Sequence, residues 1–192
     1  MPKLLFFAGS ARRDSFNKKL AQNAADIGAE LGAEATFVDL KDYAMPIYDG
    51  DLEAESGLPE AALQLKALFR EQDGFFIASP EYNSSFPALL KNTLDWVSRP
   101  HEENEPMLAV LRDKVAAISS ASPGGFGGLR GLVPLRMMLG NIGVTVVPNQ
   151  LALSSAHQYF DEAGKLSDET QRKMLRRVVQ QFVETAAALK TI

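Results

Sequence analysis

The chain has 192 residues, of which 46% are hydrophobic and 23% charged, proportions of an ordinary water-soluble globular protein. A net charge of −4 offers no broad attraction for nucleic acid or an anionic membrane. The absence of cysteine excludes thiol catalysis, thiolate metal sites and disulfides, while redox chemistry through a bound cofactor remains open. The length suits one domain spanning 1–192. Leu4-Leu5-Phe6-Phe7 is too short an apolar run for a signal peptide or a membrane span. Arg12-Arg13 is followed by Asp14, Ser15 and Asn17 rather than by an apolar segment. A cytoplasmic location is therefore expected.

In chain order, Lys3–Ala8 reads as a strand buried on both faces, ending at Gly9. A helix follows over 15–31, with Leu20, Ala24, Ile27 and Leu31 at helical spacing and Gly32 as its stop. The pattern then predicts a strand at 35–40, a helix at 58–70 and a strand at 74–79. A helix at 85–98 comes next, then a strand at 114–120, a helix at 127–142 and a strand at 144–147. Ser167 is expected to cap a last helix running to about 189, with Glu169 in its first turn. Strands alternating with helices predict an α/β fold, a doubly wound five-stranded parallel sheet with helices on both faces. The segment 41–57 is the longest connection. Its acids Asp49, Asp51, Glu53 and Glu55 lack EF-hand spacing and read as solvated. Tyr43, Met45, Pro46, Ile47 and Tyr48 could rim a binding crevice or a subunit contact.

Three loops at strand ends carry chemistry. Gly9–Asn17 enters the first helix, where free backbone N–H groups and the helix dipole attract an anion. Ser10, Ser15 and Asn17 add neutral donors, and Arg12 adds a fork suited to phosphate oxygens. Ser15 could equally be only a helix cap, and Asp14 is expected to face solvent. There is no Gly-x-Gly-x-x-Gly and no P-loop. The second loop, Ser79-Pro80-Glu81-Tyr82-Asn83-Ser84-Ser85, can present amides to the edge of a flat heterocycle with Tyr82 beside its face. Ser85 reads as the following helix's cap, and Trp96 as core. The third loop, 119–128, places four glycines in five positions, permitting close backbone approach to a ligand or a flexible lid. His101 and His157 fall in polar connections, and no metal site is indicated.

With strand order 2-1-3-4-5, ligands bind where the order reverses between strands one and three. The phosphate-suited and heterocycle-suited loops then meet at one crevice, with the glycine loop beside them.

The sequence resembles the NAD(P)H-dependent FMN reductases, the flavodoxin-like family that includes bacterial chromate and quinone reductases. The resemblance rests on Gly9-Ser-x-Arg12-x-x-Ser15-x-Asn17-x-x-Leu20, on Ser79-Pro-Glu-Tyr-Asn-x-Ser85-x-Pro87-x-x-Leu90-Lys-Asn-x-Leu-Asp-Trp96, and on Gly127-Gly128-Leu129-Arg130. It implies noncovalent FMN, with Ser10, Arg12, Ser15 and Asn17 holding the phosphate. Pro80, Glu81, Tyr82 and Asn83 would line the isoalloxazine, mainly through backbone atoms, and Ser122 and Gly124 would close its pyrimidine side. NADPH or NADH would be the donor. A small acceptor such as a quinone, flavin, azo compound or chromate would receive the electrons by ping-pong transfer, with no catalytic side chain. A flavodoxin-type electron carrier is the alternative. Family resemblance also implies a homodimer or homotetramer, while the net charge of −4 leaves no nucleic-acid or membrane partner expected.

Overall fold

A computed structural model describes residues 1–190. Six strands are β1 Lys3–Ala8, β2 Glu34–Val38, β3 Gly74–Ala78, β4 Val115–Ala121, β5 Thr145–Val146 and β6 Leu151–Leu153. The α-helices are α1 Phe16–Glu30, α2 Gly50–Ser56, α3 Glu60–Glu71, α4 Ala88–Val97, α5 Leu129–Asn141 and α6 Glu169–Leu189. All strand pairs are parallel, in the order β2-β1-β3-β4-β5, with β6 also paired to β4. The expected flavodoxin-like topology is the one observed.

The run of β1 is apolar throughout because both its faces are covered. Leu4, Phe6 and Ala8 join a core with α1 and α6, while Leu5 and Phe7 join a second core with α3, α4 and α5. This is the period-two alternation of a strand inside two layers of helix. Phe6, Phe7, Phe75 and Phe76 are all inaccessible or nearly so, and each such ring contributes about 1.5–3 kcal/mol of transfer free energy.

The fifth sheet position differs from the expected single strand at 144–147. It is split: β5 pairs with Val115 and Ala116, and β6 pairs with Ser119, Ser120 and Ala121. Pro148 stands in the break, with no N–H to give a ladder. Arg136 of α5 fills the gap, donating to the carbonyls of Val146 and Val147 at 3.3 and 2.9 Å and to Gln150 at 3.0 Å. Gln181 of α6 accepts the Asn149 N–H at 2.9 Å.

The 41–57 segment also departs from expectation. It contains α2, capped by Asp49, whose side chain accepts from the Asp51 N–H. Glu53 is not a solvated acid: it takes the Arg99 Nε at 2.8 Å and the Tyr48 hydroxyl at 2.8 Å. The Pro46 carbonyl accepts from Asn92 and from the indole of Trp96, and Trp96 is fully buried. The segment is therefore docked on α4.

Two helix starts move as well. α4 begins at Ala88 rather than 85, because Pro87 is held extended at φ −74°, ψ 154° and disfavours helical backbone at Phe86. Asp168, not Ser167, caps α6, accepting from the Gln171 N–H at 2.8 Å. The Ser167 hydroxyl donates instead to the Tyr159 carbonyl. No helix among the described residues is long and apolar enough to cross a membrane.

Candidate functional site: a trough at the carboxyl ends of β1, β3 and β4

The loops that leave β1, β3 and β4 emerge at one edge of the sheet, at the point where strand order reverses. Between them lies a crevice of about 80 Å³ lined by Ser10, Arg12, Ser15, Phe16, Asn17, Pro80, Glu81, Tyr82, Ala121, Ser122 and Pro123. A second hollow of about 160 Å³, bounded by Glu81, Ser122, Gly124, Gly125, Phe126, Gly127, Gly128 and Arg130, shares Glu81 and Ser122 with it. The two form one trough. It thus gathers Ser10, Arg12, Ser15, Asn17, Pro80, Glu81, Tyr82, Ser122 and Gly124. Asn83 does not line it. Asn83 and Ser84 form the tip of a two-residue turn at φ 52° and 65°, closed by hydrogen bonds in both directions between Tyr82 and Ser85, and positive φ at both central residues suits such a turn. Ser85 accordingly belongs to this turn and caps no helix.

At the phosphate-suited end, Ser15 is both cap and wall: its side chain accepts from the Lys18 N–H while its residue borders the crevice. Helix geometry leaves the N–H groups of Phe16 and Asn17 without intrahelical acceptors, and the first turn of α1 carries no acid. Arg12 is exposed and has no carboxylate partner among the described residues. Asp14 is exposed too, as expected. The Asn17 amide is largely committed elsewhere. It donates to the Ala121 carbonyl at 2.9 Å and accepts the Ala121 N–H at 2.9 Å, so it pins α1 to β4 and leaves one amide hydrogen over.

At the other end, the Glu81 side chain turns toward α5 and pairs with Arg130 at 2.6 Å. Tyr82 is half-exposed along the trough. The glycines there divide into two kinds. A Cβ at Gly125 would meet nothing and one at Gly124 only the Ser122 hydroxyl at 3.6 Å, whereas a Cβ at Gly127 (φ +60°) would lie 2.6 Å from the Ala152 backbone. A Cβ at Gly128 (φ +85°) would collide with the Ser120 hydroxyl, an oxygen buried without a hydrogen-bond partner. All four border the trough, but Gly127 and Gly128 are also required by close packing within the protein.

Larger hollows occur elsewhere, of about 470 Å³ beside Glu53 and His101 and about 260 Å³ beside Asp73, Lys114 and Lys190. In the first Glu53 is engaged by Arg99, and in the second Lys190 by Asp73. Lys114, whose pKa burial pushes down, donates to the carbonyls of Arg70 and Gln72. No cluster of three or more metal-ligating side chains occurs among the described residues. Of these hollows, the trough offers hydroxyls, a guanidinium without a carboxylate partner among the described residues and a free helix start together, a donor set that fits a phosphate monoester carrying a flat ring.

The profile of the NADPH-dependent FMN reductases matches residues 2–158. The chain belongs to that family. It is 34% identical over 180 residues to an NAD(P)H-dependent FMN reductase of Pseudomonas aeruginosa, covering 93% of this chain and 91% of the relative. It is also 34% identical over 193 residues to an NAD(P)H:quinone oxidoreductase of Solanum tuberosum, covering 98% and 94%. Among solved structures, the flavoenzyme NAD(P)H:(acceptor) oxidoreductase FerB of Paracoccus denitrificans superposes with a TM-score of 0.83 at 28% identity, covering 98% of each chain. This member of the FMN reductase family is an FMN-dependent NAD(P)H oxidoreductase. Sequence reading missed Phe16, Ala121 and Pro123 as walls of its trough. Phe16 alone left a signal, an apolar residue standing between Ser15 and Asn17.

Proposed function

We propose that the trough holds FMN with its phosphate at Ser10, Arg12, Ser15 and the start of α1, and with Asn17 bracing that end. The ring would lie along Pro80, Glu81 and Tyr82, with Ser122 and Gly124 at its far side and the Asn83 turn at its margin. When bound, FMN supplies the two-electron chemistry that no side chain of this cysteine-free chain offers. The residues bind, orient and leave one face open, and no side chain is needed to move a proton. An open face admits NADPH or NADH and then a small acceptor in turn, a ping-pong scheme. Quinones are the favoured acceptor class, because relatives covering nearly the whole chain are quinone reductases. The whole chain would act as one FMN-binding domain, in the cytoplasm, as a homodimer or homotetramer whose mass light scattering measures.

The observation that carries this reading is Arg12, a guanidinium at the crevice without a carboxylate among the described residues. Arg12→Ala removes a charge-assisted hydrogen-bond donor, a loss of about 1.5–3 kcal/mol, or roughly ten- to hundredfold in affinity. The fall is expected for FMN and not for riboflavin, which lacks the phosphate. Fluorescence titration with both ligands checks it, and equal losses for the two would remove Arg12 from the phosphate site.

A further inference from the structure

The two walls of the trough's ring end come from distant parts of the chain, the 79–85 loop after β3 and the 122–130 loop after β4. One charged contact joins them. An oxygen of the Glu81 carboxylate takes the Arg130 Nε at 2.7 Å and lies 2.6 Å from an Arg130 Nη. The other oxygen accepts the backbone N–H groups of Arg130 and Gly131 at 3.1 and 3.3 Å. These N–H groups belong to the first turn of α5: the Arg130 N–H has no intrahelical acceptor, the Gly131 N–H is shared with the Gly128 carbonyl at 3.2 Å, and the N-cap Gly128 has no side chain to cap either. Glu81 thus caps a helix 49 positions downstream.

The surroundings are shaped for this contact. The carboxylate is only 8% exposed, whereas the Arg130 side chain is 57% exposed and rests 5.0 Å above the Phe126 ring. A Cβ at Gly131 would stand 3.3 Å from the Glu81 Cβ, so the glycine lets the acid approach the helix. Glu81 borders both halves of the trough. A lone carboxylate there would oppose any negative charge gained by a ligand during reduction. Arg130 and the helix start cancel it.

We propose that the Glu81–Arg130 pair is a charge-neutral clasp that fixes the two ring-side loops and sets the reduction potential of the bound flavin. Both are positioning residues, and the inference rests on the assignment of the trough to FMN.

The test uses the FMN-loaded wild type, E81Q, R130Q and the double variant E81Q/R130Q. The potential of bound FMN is measured by equilibration with a reference dye, and affinity for oxidised FMN by titration. E81Q leaves a guanidinium uncompensated and raises the potential; R130Q leaves a carboxylate and lowers it. Each shift is expected to be at least about threefold in the ratio of affinities for reduced over oxidised FMN, about 15 mV for a two-electron couple. The double variant is neutral again, so its potential returns toward wild type although the clasp is gone and affinity is weaker. Shifts of the same sign in both single variants, or none, would reduce the pair to a strut and overturn the proposal. A wild type that takes up no FMN overturns the trough assignment instead, and the clasp with it.

Discussion

Glu105→Gln is expected to destabilise the protein by about 3–5 kcal/mol, because it strands a buried ammonium. Lys66 is 1% exposed and Glu105 5%, with Nζ and Oε2 2.6 Å apart. The Lys66 ammonium also donates to the Arg99 carbonyl. Glu105 in turn takes Arg70 at 2.7 Å and the His101 N–H at 2.8 Å. Removing the carboxylate charge leaves Lys66 with a carbonyl and a neutral amide in a site water does not reach. Urea denaturation of wild type, Glu105→Gln and the double variant Lys66→Met/Glu105→Gln measures the effect. The double variant should recover at least half the loss, since deleting both charges removes the desolvation penalty along with the attraction. The same acid gives a pH dependence. Burial by itself raises its pKa, but the hydrogen bonds from Lys66 and the His101 N–H, with the Lys66 charge and Arg70, outweigh burial and bring it from 4.5 to about 2. A carboxyl depressed in the folded state stabilises fully above its unfolded pKa. This contribution should therefore be intact above pH 4.5 and decline as the pH falls toward 2. Glu105→Gln should flatten that part of the acid-unfolding profile.

Gly127→Ala is the second large loss expected. Its φ of +60° is a left-handed conformation, and a Cβ would meet the Ala152 carbonyl carbon and oxygen at 2.6 Å and the Ser154 nitrogen at 2.7 Å. Backbone strain of about 1–3 kcal/mol and overpacking of about 1–3 kcal/mol together give about 2–6 kcal/mol. None of the obstructing atoms is the end of a flexible side chain, so the loop itself must move, and FMN binding should weaken with it. Gly125→Ala is the control. Nothing lies within 4 Å of its added methyl and its φ is not positive, so a change within about 0.5 kcal/mol is expected. Thermal melts and FMN titration of the two variants separate these outcomes. Equal behaviour would mean that all the loop's glycines serve only flexibility.

These variants also mark what could be read from the chain and what could not. β1, β3 and β4 were legible because both their faces are covered, leaving short continuous apolar runs. α1 was legible because Ser15 and Gly32 bracket a helical period. The strand order alone brings the loops that carry Ser10, Arg12, Pro80 and Ser122 to one crevice. β6 was not legible. Leu151–Leu153 is three residues long, and it is a strand only through its pairing with the upper half of β4, extended by the Ser122 N–H to Leu153 bond. Side-chain commitments were hidden for a related reason. Asn17 reads as a donor for a ligand, yet most of its amide is spent on Ala121, 104 positions away. Glu81 reads as a wall of the ring site, yet its carboxylate serves α5. Glu53 reads as solvated and is paired with Arg99. Each depends on a partner distant in sequence, which periodicity does not encode.

The broken fifth strand has a consequence beyond the site. An edge strand with a continuous row of unpaired N–H and C=O groups is a template on which another chain can add, the first step of sheet-to-sheet aggregation. Here that border consists of pieces of two and three residues, interrupted by a proline. The carbonyls of Val146 and Val147 are occupied by a guanidinium and the Asn149 N–H by a glutamine. An incoming strand would find no uninterrupted ladder there, so the carboxyl-terminal border of the sheet resists self-association by geometry as well as by charge.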